Sequence, residues 1–168
     1  MNTTKELRWV QPHWKHRKYE LRDGDQTVAR LEYRGSWKPM TCIILDEEEL
    51  TLRRQGVFRT AVLILRGDQE IARYEEWGKN KKTLSFMTGR HFKWGRQGFW
   101  SSRYTFAAPD NAVLMTFKSV HRFLRSESVV QLHEPASSRY PETRLLLAFG
   151  WYLMLASAQA AATAAAAG

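Results

Sequence analysis

The sequence predicts a mainly β protein: an antiparallel closed barrel of about twelve strands with a central apolar C-terminal helix. Three observations predict it. The stretch Leu145 to Leu155, continuing through an alanine-rich run to Gly168, carries no charged residue and no polar face, and a helix apolar all round must be wrapped by protein or by lipid. The chain before it reads as short segments rich in β-branched and aromatic residues, separated by turn chemistry. Finally, the chain repeats itself. Gly24-Asp-Gln-Thr-Val-Ala-Arg-Leu-Glu32 returns as Gly67-Asp-Gln-Glu-Ile-Ala-Arg-Tyr-Glu75, and more loosely from Pro109 to Met115. Arg54-Gln-Gly-Val-Phe58 returns as Arg96-Gln-Gly-Phe-Trp100 in nearly the same register. A repeat of roughly 43 residues suits a unit of four short strands.

Strands are expected near 7–10, 18–23, 27–33, 40–45, 49–53, 57–65, 70–76, 82–87, 91–95, 99–106, 112–118 and 126–132. The Gly-Asp-Gln and Pro-Asp-Asn sites are hairpin tips, because Gly, Asp and Asn tolerate the backbone angles of tight turns. From Val28 to Tyr33 the residues alternate, with Val28, Arg30 and Glu32 facing solvent and Ala29, Leu31 and Tyr33 facing the core. Pro135 and Pro141, with Ser137 and Ser138 between them, end the strand pattern in a linker over 133–140. Pro141 suits a first helical position and Glu142 complements the positive helix end, so the core helix is expected over about 141–165. The third repeat is expected to exchange its last hairpin for this helix. The whole chain, 1–168, reads as a single domain.

A barrel with a plug answers the packing problem. Side chains fill a barrel of about eight strands, whereas about twelve enclose a lumen too wide for them. An apolar helix can occupy that space, as in can-shaped barrels with a central helix. In strand number, closure and C-terminal helix the chain resembles the tubby C-terminal superfamily, with its LURP-one-related and phospholipid scramblase-like members. The segment Tyr19-Glu-Leu-Arg-Asp-Gly-Asp-Gln-Thr-Val-Ala-Arg-Leu-Glu32 looks similar to that family's early hairpin. The resemblance implies a twelve-stranded barrel acting as a binding module. The sequence departs from the family in having no clear copy of the basic phosphoinositide pocket, no scramblase-style calcium segment and no cysteine-rich palmitoylation cluster. Two rival architectures arise from the same residues. One is a tail-anchored membrane protein using Leu145 to Gly168 as its span, although Ser157, Gln159 and Thr163 interrupt an alanine tail that gains little from lipid. The other is a β-propeller, for which three repeats are too few.

The formal charge is +9, which favours anionic partners. Basic residues interleave with aromatics in two clusters. Lys15, Arg17 and Lys18 follow His13 and Trp14, while Lys79, Lys81, Lys82, Arg90, His91, Lys93 and Arg96 lie among Trp77, Phe92 and Trp94. Cations beside amphipathic rings suit an anionic membrane surface, and these residues are the candidate anion-binding set. A protein partner fits the same face, and single-stranded nucleic acid is the weaker reading. The plain alternative is that these cations simply solvate outward strand positions.

No catalytic constellation is expected, and the chain reads as a non-enzyme without cofactor or metal. His13 and His16 lack a companion ligand, Asp46 to Glu49 reads as a solvated turn, and Cys42 in its apolar run reads as a buried, inert thiol. The N-terminus lacks a secretory h-region and Asn2 excludes myristoylation. The expected location is therefore cytoplasmic, peripheral at the membrane.

Overall fold

In the computed structural model, which describes residues 3–56, 60–78, 81–98, 101–122 and 125–168, twelve antiparallel strands close into a barrel around one C-terminal helix. The strands are β1 (Thr3–Val10), β2 (Lys18–Asp23), β3 (Gln26–Arg34), β4 (Met40–Leu45), β5 (Glu48–Gln55), β6 (Ala61–Arg66), β7 (Gln69–Trp77), β8 (Lys81–Phe86), β9 (His91–Arg96), β10 (Arg103–Ala107), β11 (Val113–Arg122) and β12 (Arg125–Glu134). A short 3-10 turn, Ser137–Arg139, leads into α1 (Thr143–Ala167). Each strand pairs with its sequence neighbours, and β12 closes the ring on β1 with Leu7 opposite Val130. The expected strands near 57 and near 99 begin in part outside the described residues.

The repeat is visible in the backbone. The β2–β3, β6–β7 and β10–β11 hairpins each carry a register shift close to the tip, at Leu21/Arg22, Ile64/Leu65 and Phe106/Ala107. Gly24 and Gly67 open the first two of these turns at φ of 58° and 59°, the left-handed conformation that a Gly-first hairpin loop requires. The expectation that the third repeat surrenders a hairpin to the helix needs correction. The third unit keeps β12, and the N-terminal strand β1 supplies its missing fourth strand. The barrel is thus three four-strand units, with the ends of the chain completing the last one.

The strands alternate as a closed sheet demands. The rows Leu31–Ile43–Leu50 and Val62–Tyr74–Leu84–Phe92 point inward and are buried. Inside them runs the first half of α1, in which Leu145 to Met154 are all buried without a break. Rings from opposite walls meet it. Trp151 stacks on Trp9 of β1 with centroids 6.1 Å apart and meets Tyr19 of β2 edge-on at 5.7 Å. Phe149 packs edge-on against Tyr74 of β7 at 5.4 Å. Gly150 lies against the ring of Phe117 of β11, so close that a Cβ would overlap it. The helix is therefore the plug, and the residues a tail anchor would need in lipid are the ones inside the protein. From Ser157 onward α1 is exposed; the plug is shorter than the expected core helix by the length of the alanine run. Helix and tail read as one apolar stretch in the sequence, but alanine side chains offer too little area to demand burial.

Two clamps fix where α1 enters. Arg144 donates to both carboxylate oxygens of Asp46 in the β4–β5 turn, at 2.5 and 3.0 Å, and to the Val28 carbonyl at 2.6 Å. Arg90, in the β8–β9 turn, donates to Glu142 at 2.7 Å. Glu142 is the N-cap residue and its carbonyl accepts the first helical bond, from Leu146, so the helix starts just after Pro141 rather than on it.

The buried phenols give the fold a pH signature. Burial raises the pKa of Tyr19, Tyr33, Tyr74 and Tyr152, with Glu76 adding to the effect on Tyr74. A phenol in the unfolded chain titrates near 10. Because the folded values are higher, this stability is fully present below about pH 10 and is lost as the pH rises above it. In an alkaline titration these tyrosinates should appear together with the loss of near-ultraviolet circular dichroism, rather than as independent ionisations beforehand.

Candidate functional site

An up-and-down barrel puts successive connections at alternate ends, and this sorts the charged residues. The helix enters at the end formed by the turns β2–β3, β4–β5, β6–β7, β8–β9 and β10–β11. That end is rich in carboxylates: Asp25, Asp46, Glu47, Asp68 and Asp110 lie in its turns. Three of its arginines are matched to acids, Arg66 to Glu48, Arg90 to Glu142 and Arg144 to Asp46. The helix emerges at the other end, formed by the connections after β1, β3, β5, β7, β9 and β11. There lie Lys15, Arg17 and Lys18, then Lys38, Lys81, Lys82 and Arg96. Acids at this end include Glu76, which Tyr74 binds at 2.9 Å and Lys82 approaches at 3.3 Å.

The exposed aromatics segregate in the same way. Trp14 (62% exposed), Trp37 (95%), Met40 and Trp77 all sit at the helix-exit end, whereas Met87 and Val113 are the described large apolar side chains exposed at the entry end. The two kinds of residue touch. Lys15 lies over the Trp14 ring at 5.4 Å and the Arg17 guanidinium over Tyr33 at 4.1 Å, as expected for cation–π pairs. Lys93 donates to Asn111 at 2.8 Å and Arg96 to the Ser101 carbonyl at 2.5 Å.

The residues singled out in the sequence are therefore not one patch. Lys15, Arg17, Lys18, Lys81, Lys82 and Arg96 share the exit end but occupy different sides of its rim. Arg90 and His91 lie at the entry end and Lys93 partway along β9. Lys79 lies outside the described residues. Trp37 and Lys38, in the β3–β4 connection, were not among the candidates, because a single Trp-Lys pair in a loop carries little weight by itself. Counting connections from the first hairpin would have placed it at the same end as Trp14 and Trp77.

Other candidates resolve into structure. Asp46 and Glu47 form the β4–β5 turn and Glu48 and Glu49 open β5; Asp46, Glu48 and Glu49 hold Arg144, Arg66 and Arg34 respectively, and Arg144 lowers the pKa of Asp46. Cys42 is buried but faces outward, in register with Glu32 and Thr51. The Arg34 guanidinium, bridging Glu32 and Glu49 at 2.9 Å each, lies close by on this outer wall. Burial pushes the thiol pKa up, and Arg34 opposes that in part. His13 and His16 meet edge-on at 6.2 Å, and no group of three or more metal-ligating side chains assembles among the described residues. No family model matches the chain, and neither a curated protein nor a solved structure matches it.

Proposed function

We propose that the chain is a non-enzymatic binding module that docks the helix-exit end of its barrel on an anionic phospholipid surface, peripherally and from the cytoplasmic side. The observation that carries this reading is the segregation of Trp14, Trp37 and Trp77 with the basic residues at one end, opposite an end rich in carboxylates. Indole rings lodge at headgroup depth, and each Lys or Arg near an anionic leaflet contributes about 1 kcal/mol. The charge asymmetry also orients the approach, since the entry end is repelled by the surface that attracts the exit end. Kinship with the tubby-like barrels belongs to the same proposal; it is supported by twelve antiparallel strands closed around a C-terminal helix.

Vesicle co-sedimentation tests it. Full-length protein should pellet with vesicles containing phosphatidylserine, stay in solution with phosphatidylcholine alone, and be released by salt. Lys15→Glu combined with Lys38→Glu should weaken binding by at least about tenfold, and Trp37→Ala should weaken it without changing the melting temperature. Equal binding to neutral and anionic vesicles, or none to either, would refute the reading.

A further inference from the structure

The connection between β1 and β2 is held in one shape from beneath. The buried Gln11 side chain donates from its amide to the His16 carbonyl at 2.9 Å and to the Trp14 carbonyl at 3.4 Å. The His16 backbone N–H donates to the His13 carbonyl at 3.0 Å and closes a turn. This turn displays His13, Trp14, Lys15 and His16, all exposed, with the two imidazoles edge-on at 6.2 Å. Both histidines line a concavity of about 240 Å³ with Pro12, Lys18 and Glu20.

The charge around the two rings is one-sided. Lys15 and Arg17 of the same connection, and Lys18 at the start of β2, form no ion pair among the described residues; Lys15 lies over Trp14 and Arg17 over Tyr33 of β3 instead. The acids that β2 and β3 bring near are already committed. Glu20 is held by Arg22 at 2.5 Å, and Glu32, opposite Lys18 in the register, by Arg34 at 2.9 Å. On the other flank β12 brings Glu127, next after the register pair Trp9–Ser128, and the β3–β4 connection adds Lys38 to the same end. The other described histidine rings lie elsewhere: His91 opens β9 at the helix-entry end, and His133 is bonded to Thr116 at 2.8 Å.

We propose that His13 and His16 make docking of the exit end pH-dependent, so that protonation of both rings beside Trp14 strengthens attachment to an anionic phospholipid surface. This inference rests on the docking reading and supplies its regulation. Histidine is the side chain whose charge ordinarily changes between about pH 5 and 8. Protonating both rings takes the connection and the start of β2 from three positive charges, on Lys15, Arg17 and Lys18, to five. Each added charge near an anionic leaflet is worth about fivefold in affinity, or about 25-fold for the pair. The coupling is reciprocal, so docking in this range takes up protons.

The test compares the affinity of the full-length protein for phosphatidylglycerol vesicles, whose headgroup charge is constant over this range, at about pH 7.5 and about pH 5.5. Binding should be at least about tenfold tighter at the lower pH. In His13→Gln combined with His16→Gln the ratio of the two affinities should fall close to one, with the melting temperature unchanged because both side chains are exposed. An affinity that does not rise on acidification, or a rise undiminished in the double variant, would overturn the proposal, and binding that persists at the higher pH would then leave the docking reading standing. Absence of binding at both pH values would refute docking itself and this regulation with it.

Discussion

Replacing Leu147 with aspartate is expected to unfold the barrel. Leu147 is 2% exposed and sits in the run Leu145 to Met154 that fills the lumen. A carboxylate there would have apolar side chains on every side. Burying a charge without a partner costs at least about 3 to 5 kcal/mol, even when the group escapes by binding a proton. Domains have roughly 5 to 15 kcal/mol in all. Thermal melts followed by circular dichroism should show either no cooperative transition or a fall of about 10 °C or more. The matched control is Ala160→Asp, on the exposed half of the same helix, which should change stability by no more than about 0.5 kcal/mol. The contrast between the two separates a plug from its protruding tail.

Gly150→Val should have the next largest effect, for a steric reason. Any Cβ at this position overlaps the ring of Phe117, which is itself fully buried and held by the Trp94 ring at 5.5 Å. Phe117 cannot swing aside without displacing Trp94. Overpacking of this kind costs about 1 to 3 kcal/mol, and a β-branched side chain adds a second clash. The penalty opposes helix propensity, by which leaving glycine should gain up to about 1 kcal/mol. Chemical denaturation should therefore show a net loss of about 2 kcal/mol. Phe117→Leu in the same chain should recover part of it, giving a coupling energy well outside the additive range. Additive losses would mean that Gly150 and Phe117 do not share one space.

The two variants act on the link between sequence and fold that was easiest to read. An uncharged rod after a run of strands leaves few solutions, so the barrel and its plug follow from elementary packing. What the rod does not reveal is where its burial stops. Leu155 marks the change because large side chains give way to alanine there, and alanine is content in water or in protein. The N-terminal strand was legible only in part: its buried Leu7 and Trp9 announce it, but Thr3 to Glu6 are polar and join the sheet through backbone pairing with β12. Cys42 is buried as expected, and only the face it occupies was not legible. The run from Cys42 to Leu45 has no alternation to tell inside from outside, and Arg34, eight positions earlier, is the residue that comes to lie near the thiol.

The candidate site was less legible, because it depends on which end of the barrel each connection reaches. Lys15, Arg90 and Lys93 look alike in the sequence. Only the closed topology sends Lys15 to the helix-exit rim, holds Lys93 partway along β9 on Asn111, and commits Arg90 to Glu142 at the opposite end. The sorting of acids and bases between the two ends is therefore a property of hairpin parity, and no local motif encodes it.

Amide hydrogen exchange in detergent-free buffer tests the enclosed helix most directly. Amides from Leu146 to Met154 should exchange only through global unfolding, as slowly as those of the central strands, while those from Gln159 to Ala166 exchange orders of magnitude faster. Equal, rapid exchange along the whole of α1, with the strands still protected, would contradict the enclosure of the helix by its own barrel.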